Sequence, residues 1–355
     1  MNKKLSTIKS VMFVAATMLS LGGCVPTKQD TSQASAKQDS ASTVLYAQAP
    51  GLDLTLSDWT YPYPVKRFKT SIQKQPVSMA YMDVPAVGKR KGVVVMFHGK
   101  NFASDYWAPS IAAFSQAGYR VIAIDQVGFG KSSKPDMTYR FDDLAASSKQ
   151  LLNSLGIPKT ALIANSMGGM LAVRFATLYP QTVTKLVLEN PLGLEDYSKD
   201  IPPQQNDNLL KLEMAQTEVS YRKFLQSYFP VFKPEYERFV ELYARVKNGP
   251  DYKQYSYASV LTYQMIAAQP TVKDLPGLSM PTLLVIGQKD RTVFGRRFAP
   301  PEAVKSLGNF PELGKKAAQT IPNAKLIAID QAGHVPHLEV PEIFNQAVID
   351  FLQSK

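Results

Sequence analysis

The stretch Ile163-Ala164-Asn165-Ser166-Met167-Gly168-Gly169-Met170 decides the fold. An apolar run at 161–165 leads into it, and a run able to form a helix at 168–178 leads out. A serine hydroxyl is a weak nucleophile near neutral pH and must be presented to a base. A sharp strand-to-helix turn does this by lifting the hydroxyl above the end of a sheet. The backbone of such a turn is crowded, so the residues two before and two after the serine must be small. Ala164 and Gly168 meet that demand, with Gly169 next. The helix that follows points its N-terminus at the place where negative charge would develop during attack. A small-x-Ser-x-Gly string alone is a weak signal. Its position directly after a buried strand gives it weight.

Upstream, Met96-Phe97-His98-Gly99-Lys100-Asn101 closes the apolar run 93–97. A chain turning there can aim the N–H of Lys100 into the same cleft. Together with the N–H of Met167 it would form a two-donor oxyanion hole, and one such donor contributes about 2.7–4 kcal/mol to transition-state stabilisation. His98 is expected to brace this turn.

Downstream, the search for a base is short, because the chain has three histidines. His334 lies in Asp330-Gln331-Ala332-Gly333-His334, between the last apolar run and a closing helix. His337 is expected to cap that helix or line the cleft. Leu284-Val285-Ile286-Gly287-Gln288-Lys289-Asp290 reads as a strand, a turn and a carboxylate. Asp290 placed there would accept the imidazole N–H and stabilise the imidazolium formed during attack. The candidate catalytic set is therefore Ser166, Asp290 and His334, with Lys100 and Met167 as backbone donors.

The continuous apolar run 93–97 reads as a strand buried on both faces, and 120–125, 161–165, 185–188, 282–286 and 325–329 read as further strands. Helical patterns at 107–117, 141–155, 168–178 and 341–352 alternate with them. Shorter stretches at 65–71 and 77–84 suggest a hairpin in front. The fold class is α/β: a mostly parallel central sheet flanked by helices.

From about 193 to 275 the strand-like runs vanish, and polar helical stretches rich in Tyr and Phe replace them. This reads as an inserted helical cap. Tyr221, Phe224, Tyr228, Phe229, Phe232, Tyr236, Phe239 and Tyr243 fall at roughly helical spacings. Most would pack the cap onto the core, and a few would line an apolar pocket for a small-molecule substrate.

The ends read differently. Lys3, Lys4 and Lys9 precede an apolar run at 11–21, followed by Leu21-Gly22-Gly23-Cys24. A charged start, a short apolar stretch and small residues form an export signal, too short to span a bilayer comfortably. The sequence resembles the lipobox of bacterial lipoproteins, which implies acylation of Cys24, the sole cysteine. That resemblance implies an exported chain held to the membrane through Cys24, with Val25 leaning towards the outer membrane. Residues 25–44 are Gln-, Ser-, Thr- and Lys-rich and cannot offset the entropy of ordering. The expected organisation is a signal peptide (1–23), a flexible tether (24–44), the first part of the core (45–192), the cap (193–275) and the second part of the core (276–355).

The formal charge of +11 includes the three leader lysines. It suits an anionic envelope surface and is equally explained by solvated lysines. No zinc-ligand spacing, phosphate-binding glycine loop or nucleic-acid motif occurs, so no metal, cofactor or nucleic-acid partner is expected. No obligatory protein partner is inferred either.

From about 65 to 352 the chain resembles the capped α/β-hydrolases. The likeness rests on His98-Gly99, the tract Asp125-Gln126-Val127-Gly128-Phe129-Gly130-Lys131-Ser132, the Ser166 turn, Gly287-Gln288-Lys289-Asp290, and Gly333-His334 through Glu339 and Pro341. Ala164 replaces the usual first glycine of the turn, Asn165 stands where a histidine is frequent, and Val127 replaces a common arginine. Related dehalogenases and epoxide hydrolases carry an aspartate at the nucleophile position, so Ser166 argues against both activities. The resemblance implies a serine hydrolase, with carboxylic-ester cleavage as the first expectation. An amide, a lactone or a C–C bond beside a carbonyl is the alternative. A surface lipoprotein that retained the fold only for binding is a third reading, and an intact Ser, Asp and His set argues against it.

Overall fold

The computed structural model describes residues 44–354. Among the described residues, eight strands and eleven α-helices follow one another as β1 (Val65–Ile72), β2 (Gln75–Val84), β3 (Gly92–Phe97), α1 (Ala108–Gln116), β4 (Tyr119–Ile124), α2 (Phe141–Ser154), β5 (Thr160–Asn165), α3 (Met167–Leu178) and β6 (Val183–Glu189). Then come α4 (Asn206–Ala215), α5 (Glu218–Gln226), α6 (Glu237–Lys247), α7 (Tyr252–Ala268), β7 (Thr282–Gly287), α8 (Pro301–Ser306), α9 (Phe310–Thr320), β8 (Ala324–Ile329), α10 (Pro336–Glu339) and α11 (Pro341–Gln353). One sheet takes the order β1-β2-β4-β3-β5-β6-β7-β8. β1 pairs with β2 and β2 with β4 antiparallel, and all remaining pairs are parallel.

The apolar runs of β3 to β7 are continuous because both sheet faces are covered there, whereas β8, the outer strand, leaves Lys325 and Ala328 exposed. Val95, Phe97, Ile122, Ile124, Leu162, Ala164, Leu284 and Ile286 face one cluster, which α2, α3 and α9 complete through Phe141, Phe175 and Phe310. Their strand neighbours Val94, Met96, Val121, Ala123, Ala161, Ile163, Leu283 and Val285 face the other, with Ile111, Phe344 and Val348. Successive side chains of a strand point to opposite faces, so both parities must be apolar. Antiparallel β1 needs less: its alternate residues are exposed at the sheet edge.

The segment between β6 and β7 contains α4 to α7 and no strand among its described residues. Tyr221, Leu225, Tyr228, Phe229, Tyr236, Phe239 and Val240 from it join the second cluster. Most of these rings pack on one another, as in the 4.2 Å stack of Phe229 on Tyr236 and the 4.1 Å stack of Tyr221 on Tyr243.

Residues 44–64 form a strap with no regular secondary structure, yet they bury Leu52, Leu56, Trp59 and Tyr61. The strap binds both the cap and the core. Leu45 and Tyr46 N–H donate to the Glu218 carboxylate, and Leu52 N–H donates to the Arg245 carbonyl. On the core side, Trp59 Nε1 donates to Asp105 and Tyr61 Oη to Asp125. The buried ammonium of Lys134 donates to the carbonyls of Leu54, Gly130 and Ser132, and that of Lys131 donates to those of Leu56 and Ser57. Burial pushes Lys134 down to about 7.

Candidate active site

The parallel strands β3, β5, β6, β7 and β8 all end at the same edge of the sheet. Lys100, Ser166, Asn190, Asp290 and His334 follow those ends. Loops at the carboxyl edge of a parallel sheet are where such folds place their chemistry.

Ser166 sits between β5 and α3 with φ 55° and ψ −122°. A non-glycine residue with positive φ is strained by about 1–3 kcal/mol and persists only where its surroundings over-determine it. Here Ser166 N–H donates to Glu189 O at 3.2 Å, and Ser166 O accepts from Gly169 N–H at 2.9 Å and Leu192 N–H at 3.0 Å. The small residues are sterically required. A Cβ on Gly168 would lie 2.4 Å from Phe97 O, and one on Gly169 would lie 2.3 Å from Pro191 Cβ.

Asp290 and His334 are buried and paired, with His334 Nδ1 2.7 Å from Asp290 Oδ2. A carboxylate accepting the Nδ1 proton leaves Nε2 as the basic nitrogen. That Nε2 is buried and has no hydrogen-bond partner among the described residues. Asp290 Oδ1 accepts from Thr292 N–H at 2.8 Å, and Oδ2 also accepts from Asn190 Nδ2 at 2.7 Å. His334 is held through its backbone too: its N–H donates to Tyr228 O at 2.8 Å, and the Tyr228 ring lies 4.6 Å from the imidazole. The Glu339 carboxylate brackets the loop, accepting from Gly333 N–H and Val335 N–H on either side of His334. Burial, opposed by these two donors, pushes Glu339 up to about 7.

The loop after β3 presses against the serine turn. A Cβ on Gly99 would lie 3.2 Å from both Ser166 Cβ and Asn165 Oδ1. No hydrogen bond among the described residues uses the N–H of Lys100 or of Met167, so both donors are free for an oxyanion. Asn165 ties the parts together. Its Oδ1 accepts from Tyr106 Oη, which itself accepts from Gly99 N–H, and its Nδ2 donates to His334 O and Glu189 O.

Two histidines lie apart from this set. His98 Nε2 accepts from Gln126 N–H at 3.1 Å, and Nδ1 donates to Gly99 O at 2.9 Å, so the ring braces the turn. Burial holds its pKa below the ordinary histidine value. His337 neither caps a helix nor lines the cleft. It lies within α10, fully buried and stacked 3.8 Å from Trp107, with Nδ1 2.8 Å from Glu189 Oε2.

The structure thus brings Asp290 into contact with His334 and sets Ser166 and the Lys100 turn on the same edge. Ser166 Oγ and His334 Nε2 are not hydrogen-bonded to each other, a contact that in hydrolases often forms only with substrate bound. Sequence reasoning missed Asn190 and the bracketing role of Glu339. Asn190 has φ 37° at the end of β6, and an asparagine directly before Pro191 is the one local hint of a strained turn there. Cys24 and the leader lie outside the described residues. Among the described residues no group of three or more His, Cys, Asp or Glu could hold a metal ion, and no helix is long and apolar enough to cross a membrane.

A mostly parallel eight-stranded sheet with these residues at its carboxyl edge defines an α/β hydrolase. The chain belongs to the α/β-hydrolase fold family, whose model matches residues 92–341. It is 30% identical over 270 residues to a 2-hydroxy-6-oxononadienedioate/2-hydroxy-6-oxononatrienedioate hydrolase of Pseudomonas sp, covering 75% of this chain and 89% of that one. Among solved structures it is similar to a probable hydrolytic enzyme of Pseudomonas aeruginosa PAO1. The identity is 42% and the TM-score 0.84, over 86% of this chain and 100% of the other. An enol-lactonase of Burkholderia xenovorans LB400 shares the fold at 22% identity and TM-score 0.63, over 81% and 100% of the two chains.

Proposed function

We propose that this hydrolase cleaves a carboxylic ester by acyl transfer through Ser166. The observation that carries the reading is the buried Asp290–His334 pair, whose Nε2 is unpartnered at the edge that presents the strained Ser166. Ser166 Oγ attacks the carbonyl carbon as His334 Nε2 takes its proton. Asp290 stabilises the imidazolium, and the N–H groups of Lys100 and Met167 receive the oxyanion. His334 then protonates the departing alcohol, and a water activated by the same nitrogen releases the acyl group from Ser166. Tyr228 packs on His334 and Phe102 on Tyr228, apolar surroundings that suit a small or medium acyl body.

Ser166→Ala should abolish hydrolysis of p-nitrophenyl butyrate and labelling by a fluorophosphonate while leaving the circular dichroism spectrum unchanged. Full turnover in that variant would sink the mechanism. A second reading keeps the same three residues and replaces the ester with a C–C bond beside a carbonyl. It is favoured by the 30% identical relative, which is named for a 2-hydroxy-6-oxo-dienedioate. A vinylogous diketone cleaved faster than every ester of a panel would establish it. We also propose that Cys24 is acylated and anchors the enzyme in the bacterial envelope. Cys24→Ser should then move the protein from the membrane to the soluble fraction.

A further inference from the structure

We propose that Lys100 makes the site selective for a substrate carrying a carboxylate, which its ammonium would bind on the cap side of Ser166. The inference rests on Ser166 being the nucleophile and adds the charge of the molecule it attacks.

The position of Lys100 is the first argument. Its neighbour Gly99 touches the Ser166 turn, and its other neighbour, Asn101, donates through Nδ2 to Tyr228 Oη, the residue that packs on His334. The Lys100 side chain leaves this loop towards the cap. Its Nζ donates to Ser259 Oγ on α7 at 2.8 Å.

The second argument is the state of that ammonium. A lysine head group has three donors. The two buried lysines under the strap use theirs on backbone carbonyls: Lys134 Nζ reaches three and Lys131 Nζ two. Lys100 Nζ has a single partner among the described residues, a neutral hydroxyl, and makes no direct ion pair. The carboxylate that bears on it, Glu213, is linked to it through Ser259, whose Oγ donates to Glu213 Oε1 at 3.2 Å. Burial lowers the pKa of Lys100, and Glu213 opposes that only in part. Lys100 is half-buried; a partly desolvated cation without a paired anion is unfavourable, and the cost falls when a carboxylate enters and takes the open donors. A purely structural tie between loop and cap would need no charge at all.

The test compares p-nitrophenyl hydrogen glutarate with p-nitrophenyl valerate, esters of matched length that differ in one terminal carboxylate. Wild type should prefer the anionic ester by about tenfold or more in kcat/KM, chiefly through KM. Lys100→Met should lower the anionic-to-neutral ratio about tenfold, and Lys100→Arg should restore most of it. Glu213→Gln, which removes the competing anion, should raise the ratio. Opposite signs for the lysine and glutamate variants separate recognition from a merely structural tie, which would move both in the same direction. A ratio unchanged in Lys100→Met would overturn the proposal. A second readout does not need turnover. Glutarate should bind Ser166→Ala about tenfold more tightly than Ser166→Ala/Lys100→Met by calorimetry, and equal binding or none would also overturn it. Persistent esterase activity in Ser166→Ala refutes the nucleophile instead, so the two failures are distinguishable.

Discussion

Asn190 Nδ2 donates to Asp290 Oδ2 at 2.7 Å, the same oxygen that meets His334 Nδ1. The Asn190 side-chain carbonyl accepts from Gly287 N–H at 3.0 Å, so one amide at the end of β6 clamps both ends of the acid-bearing turn after β7. Hydrogen bonds to charged groups contribute about 1.5–3 kcal/mol. Asn190→Ala should therefore lower kcat by about 10- to 100-fold, with KM little changed. Steady-state kinetics alongside circular dichroism checks this, and wild-type kcat would show that Asp290 is oriented without the clamp.

Asn165 is buried at the end of the serine strand, and its amide meets the end of β6, the His334 loop and Tyr106, which itself holds Gly99 N–H. Asn165→Ala would leave the buried Tyr106 hydroxyl and the His334 carbonyl short of partners. A loss of about 1–3 kcal/mol in urea unfolding is expected, with reduced kcat. Unchanged stability would mean that the three loops hold their places independently.

Gly168 and Gly277 form a matched pair. A methyl group at 168 meets the Phe97 carbonyl oxygen at 2.4 Å, whereas one at 277 meets nothing within 4 Å. Overpacking against backbone has no cheap relief, so Gly168→Ala should cost about 3 kcal/mol or prevent folding. Gly277→Ala should leave the melting temperature within a degree or two, about the range of a neutral surface change. Equal melting temperatures would refute the steric account of the turn.

Glu339 supplies a pH signature. Its carboxyl is raised to about 7 in the fold from 4.5, chiefly by burial. Between those values the folded chain holds a proton that the unfolded chain has lost. This group's contribution therefore makes stability fall as pH rises through that window and level off above about 7. Glu339→Gln removes the group, so its melting temperature should decline less than that of wild type between pH 5 and pH 8. A parallel decline in both proteins would show that the carboxyl titrates normally.

The strap makes its own prediction. Trp59 is buried, donates to Asp105, and lies against the guanidinium groups of Arg238 and Arg245 at 5.4 and 5.7 Å from its ring. Trp59→Ala should cost about 3–5 kcal/mol in denaturant unfolding. It should also push the Asp105 carboxyl, already at about 6 through burial, further up by removing a donor. A loss below about 1 kcal/mol would mark the strap as a loose appendage.

Much of the frame was legible because its physics is local. A strand buried on both faces must be apolar at every position, and the runs that follow Gly92, Thr160 and Pro281 declare themselves on that ground. Antiparallel β1 and β2 were visible on a different ground, as two short strand-like stretches separated by a polar turn. The strap was not legible, since Leu52, Leu56, Trp59 and Tyr61 follow neither a twofold nor a helical period. Helices α8 and α9, between Asp290 and His334, were also unread. α8 is only six residues long, and α9 carries Gly314 in its middle, which weakens the helical signal.

By itself, the sequence determined the α/β order of elements, the small residues demanded around Ser166, and a short list of groups able to act with it. These follow from nearest-neighbour sterics and from there being only three histidines. Only the tertiary structure decided that His337 belongs to a buried pair with Glu189, while His334 belongs to Asp290. The two lie three residues apart, His334 on a loop and His337 in α10, and what separates them is which strand end each meets. It also decided that Asn190, Asn165 and Glu339 brace these loops, and that the Lys100 ammonium reaches Ser259 on α7. Those relations join residues scores of positions apart, and no local pattern encodes them because only the closed sheet brings the partners into contact.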